Sequence, residues 1–185
     1  MALIPTFSGQ MTGARWTIPQ AVAAVPDIRV AFLGGVPSGQ DPAYLNDLRA
    51  LARDLGIADR VTFTGGLQPE EVRDFYRRAT VSVNLSPPGL FDKAALESML
   101  VGTPTIVSSS AFDTLLGDHG ERLRLSAPDD AAALAARLRS LLALSGEERS
   151  VMGLDIRARV QTAHSLDGLM DRLVALMAEA CQQGL

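Results

Sequence analysis

Apolar runs bounded by turn residues alternate along this chain with longer stretches of helical periodicity. That alternation predicts strand–helix–strand units and an α/β fold, a parallel sheet flanked by helices. Strands are expected over roughly Ile28 to Leu33, Val61 to Phe63, Val81 to Leu85 and Thr105 to Val107, with a weaker one over Leu123 to Leu125. Pro42 to Leu55 sets Leu45, Leu48, Leu51 and Leu55 at helical spacing, and Glu70 to Arg78 opens with acids and closes with bases, as the helix dipole favours. Phe91 to Val101 reads as a further helix, ended by Gly102 and followed by Pro104. The last third holds three Ala- and Leu-rich helices, Asp130 to Leu144, Glu147 to Val160 and Ser165 to Ala180.

Composition narrows the class. With 185 residues, 47% hydrophobic and 21% charged, the chain fits one ordinary globular domain covering 1–185. Asn84, Ser86, Pro87 and Pro88 interrupt the longest apolar stretch, so none reaches the roughly 18 residues of a membrane span. A net charge of -4 argues against a nucleic-acid partner while leaving room for a small anion bound locally. The opening Met1-Ala2-Leu3-Ile4-Pro5 lacks the basic and apolar regions of a signal peptide, and Cys181 is the single cysteine, so a cytoplasmic setting is expected.

In an open parallel sheet, ligands sit beyond the carboxyl ends of the strands. Three loops there carry glycine: Gly34-Gly35, Thr64-Gly65-Gly66, and Ser86 to Leu90 leading into the helix of Glu97. At the start of that helix stand Asp92, Lys93 and Glu97, and Lys93 is the only lysine among 17 basic residues. Two readings are open. In one, Asp92 caps the helix and Lys93 with Glu97 forms a surface pair. In the other, Lys93 holds a phosphate at the dipole end and Glu97 accepts hydrogen bonds from ribose hydroxyls. Lys before Glu is the poorer order for a surface pair, and a cation at a helix N-terminus opposes the dipole unless an anion is near, which favours the second. His119 and His164 stand with no obvious partner constellation and read as surface or structural residues. No metal cluster or nucleophilic triad is apparent.

Val61-Thr62-Phe63-Thr64-Gly65, Phe75-Tyr76 with Ala79, Val81 to Ser86, and Leu96-Glu97-Ser98-Met99 with Gly102 to Val107 together resemble the nucleotide-sugar domain of group-one retaining glycosyltransferases of the two-domain, family-four type. The similarity begins at Pro26 to Gly34 and continues through Pro128 to Met152-Gly153, Arg157 and Arg159. It implies a Rossmann-like domain, one half of a GT-B architecture, whose acceptor-binding half lies outside this chain. It also implies a nucleoside-diphosphate sugar as partner, held without metal or other cofactor. The family's second signature glutamate, which meets the ribose, matches Glu97, whereas the first falls on Gly89. Asp92 is then the candidate catalytic-site carboxylate, taking over a sugar hydroxyl. Gly65, Gly66, Gly89, Leu90, Phe91, Lys93 and Glu97 are the candidate donor-binding residues. The diphosphate grip usual near the start is replaced by Phe7-Ser8-Gly9-Gln10-Met11-Thr12-Gly13-Ala14-Arg15, where Arg15 alone supplies charge. Base selectivity is expected in backbone contacts near Thr64 to Leu67. In this family the chain's end crosses to the other half, so part of the stripe Leu166, Leu169, Met170, Leu173, Val174 and Met177 is expected to be exposed or to mediate self-association. A non-catalytic sugar-nucleotide-binding or scaffolding module, or an epimerase or phosphorylase of related architecture, is the alternative.

Overall fold

The computed structural model describes residues 4–5, 14–34 and 43–182. Its strands are β1 (Ile4–Pro5), β2 (Val30–Leu33), β3 (Val61–Phe63), β4 (Ser82–Asn84) and β5 (Thr105–Val107). Its helices are α1 (Ala14–Ala23), α2 (Ala43–Asp54), α3 (Pro69–Arg78), α4 (Lys93–Leu100), α5 (Asp113–Leu116), α6 (Gly120–Leu123), α7 (Ala131–Ala143), α8 (Gly146–Ala163) and α9 (Leu166–Gln182). All ladders are parallel: β1 with β2, β2 with β3, and β4 with β5. β1 also lies beside β4, giving the spatial order β3-β2-β1-β4-β5. The order reverses between β1 and β4, which makes that junction the switch point where ligands of such sheets bind.

β2 is buried along its whole length, as expected of a parallel strand covered on both faces. Its alternate side chains serve two cores. Val30 and Phe32 join the large cluster with Ile18, Val83, Ile106 and Leu138, whereas Ala31 and Leu33 pack with Tyr76 of α3. α3 begins with Pro69 after a Gln68–Glu71 capping box and ends in Arg77 and Arg78, so its boundaries follow from cap and dipole chemistry. Asp130 caps α7, and Ser145 with Glu148 boxes the start of α8.

Three departures from the sequence reading have physical causes. α1 carries Pro19 in its interior and was not expected as a helix. A helix-interior proline costs about 3 kcal/mol, but complete burial of Ile18, Ala21 and Val22 offsets this, since a large aliphatic side chain alone is worth about 1.5–3 kcal/mol. β1 is only two residues long, too short to show a period. The weak strand over Leu123 to Leu125 is corrected: Leu123 ends α6, and the segment meets the sheet only by the parallel bridge of Arg124 to Val107. Leu123 and Leu125 are both buried, so the apolar alternation is real although no ladder forms. Gly35, Pro42 and residues 7–13, on which other expectations fell, lie outside the described residues.

α8 lies along α4. A Cβ built on Gly153 would stand 1.9 Å from the Gly102 carbonyl oxygen, so only glycine permits this approach. α9 is largely open: Leu166, Leu169, Met170, Leu173, Val174 and Met177 are each 46–71% exposed. No helix among the described residues is long and apolar enough to cross a membrane.

Candidate functional site

The β4 strand delivers the chain to the switch point, and residues 85–92 turn it into α4. Gly89 sits at φ +79°, a left-handed conformation that a side chain would strain. Pro87, Pro88, Gly89, Leu90 and Phe91 are exposed, while Ser86 and Asp92 beneath them are buried. Asp92 is the N-cap of α4. Its Oδ1 accepts from the Ala94 N–H at 2.9 Å, and its Oδ2 accepts from the Ser86 hydroxyl, also at 2.9 Å.

Ser86 Oγ also lies in very short contact with Asn84 Oδ1, while Asn84 Nδ2 is buried with no partner. A single hydroxyl proton cannot serve both oxygens. Turning the Asn84 amide lets Nδ2 donate to Ser86 Oγ and leaves the hydroxyl proton for Asp92. Ser108, at the end of β5, donates to the Ser86 carbonyl at 2.6 Å and ties the loop to the next strand.

Lys93 and Glu97 lie on the first turns of α4, with Lys93 Nζ 3.3 Å from Glu97 Oε1. Lys93 is 89% exposed and Glu97 43%. An exposed pair of this kind contributes no more than about 0.5 kcal/mol, so the start of α4 is fixed by Asp92 and not by the pair. Behind them, burial pushes the Tyr76 phenol above its ordinary pKa range, and the negative charges of Glu97 and Asp92 push it the same way. The phenol therefore stays protonated beside the two carboxylates.

Gly65 and Gly66 stand at the end of β3, both exposed. Thr64 Oγ1 accepts from the Gly34 N–H at 3.3 Å and donates to the Phe32 carbonyl at 3.2 Å, so the turns after β2 and β3 are locked to each other. With β2 and β1 lying between β3 and β4, this glycine turn stands roughly 14 Å from the β4 loop at ordinary strand spacing. Together the two positions suit an extended ligand.

The structure thus gathers Gly89, Leu90, Phe91, Asp92, Lys93 and Glu97 on one loop and helix start, with Gly65 and Gly66 apart from them on the turn after β3, across β2 and β1. It adds residues that sequence reasoning passed over. Asn84 and Ser86 form the buried polar layer under the loop, and the signal for them was an asparagine within the run Val81 to Leu85 that reads as a core strand. Phe91 stacks on the buried Phe112 and meets His164, contacts that no local pattern announces.

A family described as glycosyl transferases group 1 matches residues 6–144. Among curated relatives, the D-inositol 3-phosphate glycosyltransferase of Acidothermus cellulolyticus is 38% identical over 114 residues, 62% of this chain and 25% of that protein. The protein of the same name from Streptomyces coelicolor is 35% identical over 75% of this chain and 32% of its own length. Among solved structures, sucrose-phosphate synthase from Thermosynechococcus elongatus superposes with a TM-score of 0.84 at 25% identity, covering 98% of this chain and 46% of that one. Anabaena HepE in complex with UDP and glucose gives 0.80 at 17% identity over 96% and 48% of the two chains. The chain therefore spans a quarter to a third of these curated relatives and just under half of these structural neighbours.

Proposed function

Because the chain belongs to the glycosyl transferases group 1 family, we propose that it is the donor-binding domain of a retaining glycosyltransferase, which moves a sugar from a nucleoside-diphosphate sugar to an acceptor. The observation that carries this reading is the β4 loop at the sheet's switch point, with Glu97 and Lys93 on the helix it opens. In this reading the N-terminus of α4 and the Lys93 ammonium face the diphosphate, where both favour negative charge. Glu97 accepts from the ribose hydroxyls, releasing Lys93 from its present pairing. The backbone of Gly89, Leu90 and Phe91 lies against the donor sugar, and Gly65 with Gly66 approaches the nucleotide. Asp92 holds the loop through the Ser86 hydroxyl and the Ala94 N–H, and in this reading it meets a hydroxyl of the donor sugar at the same place. HepE, a neighbour of the same fold seen with UDP and glucose, supports this choice of ligand class. The acceptor comes from the second half of the architecture.

Calorimetry with a panel of nucleoside diphosphates tests the assignment. Glu97→Gln is expected to weaken diphosphate and nucleoside alike by about 1–3 kcal/mol, the cost of a charge-assisted hydrogen bond. Lys93→Ala is expected to weaken the diphosphate more than the free nucleoside. Equal losses for the two ligands in Lys93→Ala would remove the phosphate role, and unchanged affinity in a folded Glu97→Gln would remove the ribose role.

The open face of α9 belongs to the same reading. In a two-half enzyme it is covered by the other half, and in the isolated chain it pairs with a second copy. Sedimentation of the 185-residue chain is expected to show concentration-dependent dimers that Leu173→Glu abolishes. A monomer at every concentration would sink this part.

A further inference from the structure

We propose that His164 is a positioning residue for the donor loop and acts through Phe91; the inference rests on the reading of residues 85–92 as donor-binding. Phe91 is the last loop residue before the Asp92 cap, so where its ring is held decides how the loop enters α4. The ring is 37% exposed and touches two others. Phe112, fully buried, stacks on it with centroids 4.7 Å apart and planes 14° from parallel. The His164 imidazole meets it at 4.9 Å and 37°. Phe112 belongs to the core and offers a fixed seat. His164 belongs to the C-cap of α8, where its N–H bonds to the Val160 carbonyl at 2.9 Å, so its place is set by where α8 lies.

α8 itself is also held near its middle. Gly153 meets the Gly102 carbonyl just beyond the C-terminus of α4, and His164 meets Phe91 just before its N-terminus. The same number of residues separates Phe91 from Gly102 as Gly153 from His164, and the two stretches run in opposite directions. The C-terminal half of α8 therefore lies along α4 in matched register, seated at Gly153 on a backbone carbonyl and at His164 on the donor loop. α9 starts at Leu166, immediately beyond His164, and carries the open apolar face. His164 is thus the point at which the joint leading into α9 touches the loop. Anything that repositions that joint acts on Phe91 through this contact.

Two measurements on the full chain test the proposal. The first needs no donor: amide hydrogen exchange at Leu90 and Ala94, whose N–H groups bond to the Pro87 carbonyl at 3.2 Å and to Asp92 Oδ1 at 2.9 Å. His164→Ala is expected to speed exchange at both amides about fivefold, the scale of one lost ring contact, with α2 and α7 unchanged. His164→Phe is expected to restore protection. The second is affinity for UDP or GDP, whichever the wild-type chain binds more tightly. His164→Ala and Phe91→Ala are each expected to weaken it about fivefold, and the double variant no further, as for two residues acting in one contact. Unchanged loop exchange in His164→Ala, failure of His164→Phe to restore it, or additive losses in the double variant would each overturn the proposal. A wild-type chain that binds no nucleoside diphosphate would instead overturn the donor-binding reading, and the exchange measurement distinguishes the two failures.

Discussion

Gly153→Ala is expected to destabilise the domain by about 1–3 kcal/mol, the range for forcing atoms into a packed interior. The sign is the informative part. In a free helix, alanine is better than glycine by about 1 kcal/mol, so α8 considered alone predicts a gain. Against that stands the Gly102 carbonyl, with its oxygen 1.9 Å and its carbon 2.7 Å from the new Cβ. These are backbone atoms beside β5, and no rotamer change moves them away. α8 must lift from α4, loosening the packing of Met152, Ile156 and Val160, which are buried in the main core. Urea unfolding is expected to show a lower midpoint with an unchanged slope. A higher midpoint would mean that α8 does not sit this close to Gly102.

The second large effect is expected at Asp92. Asp92→Ala removes the N-cap of α4, worth about 1 kcal/mol, and takes the acceptor from the buried Ser86 hydroxyl, worth about 1–3 kcal/mol more. Asp92→Asn keeps a good capping oxygen and is expected to cost less than about 1 kcal/mol. The pair separates two roles that one variant would confuse. If Asp92 also contacts the donor sugar, Asp92→Asn is expected to bind a sugar nucleotide more weakly than wild type while binding the free diphosphate equally well. If neither ligand distinguishes the two proteins, Asp92 serves only to shape the loop.

Much of this arrangement was legible in the sequence because it is local. The strand at Val30–Leu33 is a continuous apolar run, Thr105–Val107 is a β-branched one, and the starts of α3, α7 and α8 carry their own caps. Asp92, Lys93 and Glu97 could be placed on one helix start from spacing alone, and both the cap and the Lys93–Glu97 pair were foreseeable as geometry. The missing parts depend on partners distant in sequence. α1 exists because Ile18, Ala21 and Val22 find a core to fill, and its interior proline argues against it until that core is known. His164 reads as an isolated surface residue until α8 lies down along α4 and brings its ring to Phe91. The apolar alternation of Leu123 and Leu125 records burial correctly but cannot say whether neighbouring backbone is within reach for a ladder.

The solitary lysine has a practical consequence for enzymologists. Lys93 is 89% exposed at the mouth of the β4 loop, and every other basic side chain is an arginine or a histidine. Amine-directed reagents therefore have one side-chain target in the whole polypeptide. Reductive methylation with isotope-labelled formaldehyde keeps the positive charge and installs a pair of NMR-visible methyl groups at that position. Occupancy of the proposed donor site then becomes readable from the resonance of that position, without a substrate assay and without introducing any mutation.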